Sequence, residues 1–224
     1  MQHSFWHQKR VLITAGPTRE PIDPVRFISN YSTGKMGVAL ADACAHYGAA
    51  VTLVHGPITV HPASTITALP VQTAAEMYAA VLSKFDTCDI AIFAAAVADY
   101  TPQHPAAEKI KKSEASFSIE LVKTKDIALE MGRLKQHQYT VGFALETTNE
   151  LAHARQKLEK KNLDMIVLNS LRDAGAGFQT DTNRITILAP GGLQENYDLK
   201  PKELVAEDIL TFIVEHYGER HAGK

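Results

Sequence analysis

Ser32-Thr33-Gly34-Lys35 places two hydroxyls, a turn-forming glycine and an ammonium group directly ahead of an alanine-rich helical pattern. Free N–H groups at a helix start, with the positive end of the helix dipole, hold anions, phosphate above all. The tetrad closes a long polar segment that follows Gly16, Pro17 and Thr18 and carries Arg19, Glu20, Asp23, Arg26 and Asn30. Asn30 offers an uncharged amide that can donate to a carboxylate or acyl oxygen; the same residue type also serves as a turn or cap. Two standard phosphate motifs fail here. A P-loop requires GxxxxGK[ST], but Ser29 stands five residues before Gly34 and Met36 follows Lys35. A dinucleotide fingerprint needs closely spaced glycines, but Gly16 and Gly34 are 18 residues apart.

Other groups could join such a site. Asp99 ends a run of small residues, AAAVAD, over which a base or ribose can approach the backbone. It can bind a ribose hydroxyl or a metal-bound phosphate, or satisfy N–H groups in a turn. Lys109-Ile110-Lys111-Lys112 lies in a Pro- and Ala-rich excursion. Such an excursion is a flap candidate, and its lysine can neutralise phosphate or a developing oxyanion; the alternative is a solvated basic cluster. Lys157 and Lys161 are four apart and share a helical face, placed for a triphosphate or for solubility. Phe143 ends a strand and either stacks on a base or joins the core.

The elements that must position these groups follow a βαβ rhythm. Apolar, β-favouring runs predict strands at 9–15, 49–54, 89–94, 139–144 and 164–168. Helical patterns lie between them at 34–47, 73–85, from Thr124 or Asp126 to 134, and at 147–161, with a last helix at 202–217. Thr73 and Glu76 have capping-box spacing. Residues 58–70 read as irregular, 117–122 (FSIELV) as an edge strand, and 170–183 as a loop. Residues 184–188 and 193–199 form a hairpin around Pro190-Gly191-Gly192. The expected fold is a three-layer α/β/α, Rossmann-like, mostly parallel sheet with a late antiparallel hairpin, one domain over residues 1–224. In such sheets ligands bind beyond the carboxyl ends of strands. The loops there hold Gly16–Lys35, 94–99, Lys109, Glu146 with Thr147, and Asn169.

Composition is that of an ordinary globular chain, 45% hydrophobic and 21% charged, with net charge −2. It gives no global sign of nucleic-acid binding, and no apolar run approaches the roughly 20 residues of a membrane span. Cys44 and Cys88 form no CxxC pair and sit among apolar residues, which fits buried thiols in the cytoplasm. Ten histidines show no HExxH or Cys/His spacing, so no side-chain metal site is assigned.

Taken together, ITAGPTREPIDPVRFISNYSTGKMG, AAAVADY, EKIKK, VGFALET and ARQKLEKKNLDMIVLN resemble the phosphopantothenate–cysteine ligase family over about residues 9–217. The resemblance implies a ligase of coenzyme A synthesis. CTP converts the carboxylate of 4′-phosphopantothenate to an acyl-cytidylate with release of pyrophosphate, and the amine of L-cysteine then displaces CMP. By motif it implies that Asn30 holds the carboxylate and intermediate, and that Lys109 acts from a flap. It also implies that Phe93, Ala94, Ala95, Asp99, Lys109, Lys125, Asp126, Ile127, Ala128, Phe143, Lys157 and Lys161 meet the nucleotide. Gly16, Pro17, Thr18, Arg19, Arg26, Ser32, Thr33, Gly34 and Lys35 resemble its substrate and phosphate loops. Mg2+ is implied, carried mainly by the triphosphate. Thr124-Lys125-Asp126-Ile127 departs from the Asn-Pro-Asp-Ile of many bacterial members. The KIKK pattern points to CTP over ATP by analogy. A homodimer is implied, through residues 117–122 or the late hairpin. So is a fused or separate phosphopantothenoylcysteine decarboxylase, which in most bacteria precedes this domain on one chain.

Two rivals stand beside this reading. An NAD(P)-dependent reductase predicts a glycine fingerprint and Tyr-x-x-x-Lys; the sole example, Tyr31 with Lys35, lies in the first loop. A nucleotide sensor predicts CTP binding without turnover, against which Asn30 and Lys109 argue.

Overall fold

The computed structural model describes residues 2–111, 116–146, 148–170 and 180–218. The strand β1 (Arg10–Ala15) is buried over all but its first residue, as a strand covered on both faces must be. It pairs in parallel with β4 (Ala50–His55) on one side and with β6 (Ile90–Phe93) on the other. From β4 the sheet extends to β5 (Thr67–Pro70). From β6 it extends to β9 (Tyr139–Glu146) and β10 (Met165–Ser170), all parallel. The antiparallel strands β11 (Thr182–Leu188) and β12 (Gln194–Pro201) finish it. The order is therefore β12-β11-β10-β9-β6-β1-β4-β5. The chain leaves β1 in one direction and returns at β6 in the other, which makes β1/β6 the switch point where open α/β sheets bind ligands.

Helices cover both faces. On one, α1 (Gln2–Trp6), α2 (Lys35–His46) and α6 (Lys202–His216) pack over Ile13, Leu53, Ile92, Val141 and Val167. On the other, α3 (Ala74–Phe85), α4 (Ile127–Leu134) and α5 (Glu150–Lys160) pack over Leu12, Val54, Ala91 and Ile166. Alternate residues of one strand thus feed two cores. The capping box of Thr73 and Glu76 starts α3 as its spacing predicts. Among the described residues no helix is long and apolar enough to cross a membrane.

The structure corrects several sequence expectations. Residues 58–70 are not wholly irregular, because β5 closes the sheet there. The run at 117–122 is not an edge strand of the main sheet. Only β8 (Leu121–Lys123) is extended in a ladder, paired with β7 (Tyr100–Pro102) in a separate two-stranded sheet. The first polar segment contains its own hairpin, β2 (Arg19–Pro21) with β3 (Phe27–Ser29). The helix expected from Thr147 begins at Glu150 after Asn149; Thr147 itself lies outside the described residues, as do Lys112 and most of the 170–183 loop. The hairpin around Pro190–Gly192 forms as read.

Candidate functional site

At the carboxyl ends of β1, β6, β9 and β10 a cleft of about 410 Å3 opens. Its floor is the segment after β6, which is laced to the first loop. Ala96 N–H donates to Gly16 O at 2.9 Å, and Ala98 N–H donates to the buried Thr18 Oγ1 at 3.0 Å. Ala95 N–H donates to Thr14 Oγ1 at 3.2 Å. Asn30 completes the lacing: its Nδ2 donates to Ala96 O at 3.0 Å and to Val97 O at 3.2 Å. The amide protons that the sequence offers to a carboxylate are here engaged by the backbone.

One wall is the start of α2. Ser32, Thr33, Gly34 and Lys35 all line the cleft. Gly34 caps the helix at φ 79°, a left-handed conformation that suits glycine. Lys35 Nζ pairs with Asp181 Oδ1 at 2.5 Å, and that contact holds the Asp181 carboxyl below the usual carboxylate range. Beside them the buried Lys202, the first residue of α6, also lines the cleft. Burial pushes its pKa down, and the Lys35 charge adds to this.

The opposite wall comes from α4 and α5. Asp126 caps α4 by accepting from Leu129 N–H at 3.1 Å. It also meets Lys161 Nζ at 3.0 Å. Lys157 Nζ meets Glu146 Oε1 at 2.6 Å. Lys125 Nζ lies 4.3 Å from the centre of the Tyr78 ring, within cation–π range. Gly132 lets α4 approach α5: a Cβ there would stand 1.9 Å from Lys161 O. Asn162 Nδ2 closes the joint by donating to Gly132 O at 2.9 Å.

Of the expected nucleotide residues, Phe93, Ala94, Ala95, Asp99, Lys125, Asp126, Ile127, Ala128, Phe143, Lys157 and Lys161 all line this one cleft. Six expected site residues do not line it. Gly16, Pro17 and Thr18 are buried beneath it and shape its floor. Arg19 stacks on Phe27, its guanidinium 4.6 Å from the ring centre. Arg26 pairs with Asp23 and donates to Ile110 O at 2.9 Å. Ile110 N–H donates in turn to Asp23 Oδ2 at 3.1 Å. The Arg26 guanidinium holds the Asp23 carboxyl far below its usual range. Lys109 is exposed, next to this tether. Sequence reasoning missed Lys202 and Asn183 as cleft residues; both are buried and polar, which only the fold reveals. It also named Asn169 and Glu146 only as loop positions, yet the first lines the cleft and the second pairs with Lys157.

Tyr31 is 80% exposed and outside the cleft lining, so the Tyr31–Lys35 spacing builds no reductase site. Neither cysteine lines the cleft; burial pushes the Cys88 thiol up to about 12 and raises that of Cys44 as well.

Residues 6–217 match the family model of the DNA/pantothenate metabolism flavoprotein C-terminal domain. The chain belongs to that family. The C-terminal domain of coenzyme A biosynthesis bifunctional protein CoaBC, solved by crystallography, resembles this chain in structure. The two share a TM-score of 0.81 and 40% identity, covering 95% of this chain and 99% of that one. The CoaBC protein of Bacillus subtilis (strain 168) is 48% identical over 206 residues, 92% of this chain and 51% of its own length. A protein named cysteine/cysteine sulfinic acid decarboxylase, from an unknown prokaryotic organism, is 55% identical over 208 residues, 92% of this chain and 58% of its own. The chain thus spans a little over half the length of these curated relatives. The family is the one to which the sequence motifs pointed, and the mostly parallel α/β sheet is its fold.

Proposed function

We propose that the chain is a phosphopantothenate–cysteine ligase of coenzyme A biosynthesis, acting in the cytoplasm and using CTP. The observation that carries this reading is the convergence of an anion-binding helix start, an Asn30-laced small-residue floor and a lysine-bearing wall on one cleft. The similarity to CoaBC proteins supports it.

In the first half-reaction a carboxylate oxygen of 4′-phosphopantothenate attacks the α-phosphorus of CTP. The bond to the β-phosphate breaks, and pyrophosphate leaves. In the second, the cysteine amine attacks the acyl carbon, CMP departs with the bonding electrons, and the amine gives up a proton. Small residues at Ala94 and Ala95 let a nucleotide lie against the backbone, and Phe143 offers a half-buried ring beside them. Lys157 and Lys161 neutralise phosphate, released in part from Glu146 and Asp126 as the anion enters. In this reading Asn30, which lines the cleft, meets the acyl group. Its role requires one amide N–H to turn from Ala96 O or Val97 O to the substrate. Lys109 approaches from a segment whose base is fixed by Arg26 and Asp23, and its arrival shields the mixed anhydride from water.

Magnesium fits this site as an ion brought in on the triphosphate. Among the described residues no group of three or more His, Cys, Asp or Glu converges on a metal position, whereas Mg2+ needs only one or two carboxylates besides phosphate oxygens, and the exposed Asp99 lines the cleft. Bound there, the ion would offset phosphate charge and polarise the α-phosphate.

The expected homodimer has a candidate face in Val25, Phe27, Tyr31, Tyr100, Phe117 and Leu121, all exposed apolar residues on or beside the two small sheets. A phosphopantothenoylcysteine decarboxylase, fused or separate, is the expected partner.

Pyrophosphate release tests the reading: purified protein with Mg2+ and 4′-phosphopantothenate, with CTP or ATP, with and without cysteine. Release with CTP, raised by cysteine, supports it. Release with ATP alone overturns the nucleotide assignment, and binding without release supports the sensor.

A further inference from the structure

The tip of the β2–β3 hairpin, residues 22–26, is folded on itself. Ile22 N–H donates to Arg26 O at 2.8 Å, and Asp23 Oδ1 accepts from the N–H groups of Val25 and Arg26 at 2.8 and 2.9 Å. Asp23 is 3% exposed. A carboxylate so buried persists only where donors replace its lost water. Two of these donors are the tip's own N–H groups, and the Arg26 guanidinium is the third. The fourth comes from 87 residues away: Ile110 N–H donates to Asp23 Oδ2 at 3.1 Å.

The hold on Ile110 is two-sided, because Arg26 Nη2 donates to Ile110 O at 2.9 Å. One ion pair thus engages both backbone polar groups of a single residue. The same tip takes a second grip, since Ala106 N–H donates to Ile22 O at 2.9 Å. Ile110 is half-buried between Lys109 and Lys111, which are exposed. With Ile110 pinned, a neighbouring Cα about 3.8 Å away has little room to move, and Lys109 keeps mainly its side-chain torsions. A group held near its working position loses less freedom when the reaction begins. Neither Asp23 nor Arg26 lines the cleft.

We propose that Asp23 and Arg26 are positioning residues that act through Ile110 on Lys109: they set the place of its ammonium and do not themselves bind substrate. The task of Lys109 rests on the ligase reading. Arg26 therefore departs from the loop resemblance, under which it would meet substrate phosphate.

A double-mutant cycle with Lys109→Gln tests this, read as pyrophosphate release with CTP, 4′-phosphopantothenate and cysteine. Asp23→Ala and Arg26→Met should each lower kcat at least fivefold, with KM for CTP and for 4′-phosphopantothenate within twofold of wild type. In the Lys109→Gln background the same changes should cost less than twofold. Asp23→Asn retains an acceptor for Ile110 N–H and Arg26→Lys retains a cation beside Asp23, so both should recover most of the rate. Hydrogen exchange at the Ile110 amide should be protected in wild type and at least tenfold faster in Asp23→Ala. A loss carried in KM for 4′-phosphopantothenate, or one undiminished in Lys109→Gln, makes these residues direct binders and overturns the proposal; so does unchanged exchange at Ile110. Arg26→Lys and Arg26→Met decide the matter if Asp23→Ala does not fold. Wild type that releases no pyrophosphate with CTP or ATP overturns the ligase reading instead, and exchange at Ile110 then still shows whether the hairpin tip holds the segment.

Discussion

On the α4–α5 side of the cleft, Lys157 and Lys161 each face a carboxylate, Glu146 and Asp126, within 3.0 Å. On the α2–α6 side, Lys35 leans on a largely exposed Asp181, and Lys202 is buried with its pKa lowered. The first wall is held in place before any ligand arrives, so its cations are oriented but partly neutralised. In the second, the carboxylate that meets Lys35 is largely open to water, so solvent screens that pair more. The two faces of the sheet thus differ in how far water screens the ion pairs at the cleft.

The strongest disturbance should come where the walls join. In Asn30→Asp the new carboxylate would face Ala96 O and Val97 O in place of a donor, and would repel the substrate carboxylate. We expect the rate of the overall reaction to fall on the order of 10²-fold or more, measured as pyrophosphate release at saturating substrates. Wild-type turnover would remove Asn30 from the site.

Disturbing the oriented wall should cost less. Asp126→Ala removes both the α4 cap and the partner of Lys161. Loss of such a cap costs about 1 kcal/mol, visible as a lower melting temperature. KM for CTP should rise by roughly tenfold, a single charged contact's worth, with kcat less affected. An unchanged KM would mean that Lys161 needs no orientation. Gly132→Ala reaches the same wall through packing alone. Its Cβ would press on Lys161 O, so helix separation should cost about 1–3 kcal/mol, read by thermal denaturation. CTP binding should weaken, read by calorimetric titration.

The smallest effect should be one that spares both walls. Asp23 has its pKa lowered by Arg26. Its contribution to stability is therefore complete above the unfolded carboxyl value, about 4, and fades as pH falls below that toward the folded value. Asp23→Asn should lower the melting temperature by about 5 °C at neutral pH, on the scale of one lost charged contact. The gap from wild type should narrow in acid. An equal gap at every pH would show that the carboxylate charge is irrelevant.

The sequence made the central strands legible because they are buried on both faces and so read as unbroken apolar runs, as in DIAIFA and DMIVL. The cap of α3 and the glycine hairpin were legible because their chemistry is local. β5 was not, since Thr67–Pro70 is short, mostly exposed and ends in proline. Alternation at 117–122 misled because Phe117 finds no cover and is 58% exposed. β2 and β3 exist through tertiary bonds such as Ser29 Oγ to Thr18 O, 2.7 Å, which no spacing announces. At the cleft, most of the motif residues converge as lining residues; Lys202 was not anticipated there, because a lysine opening a helix looks like a surface residue until α2 packs against it.

The burial of Cys44 and Cys88 bears on handling the protein. Under the ligase reading it works in the presence of a free thiol that is also its substrate. With both of its own sulfurs buried and their thiolates suppressed, mixed disulfides with that substrate are disfavoured. An alkylating quench in an assay would therefore consume the amino acid's sulfur and leave the protein's intact.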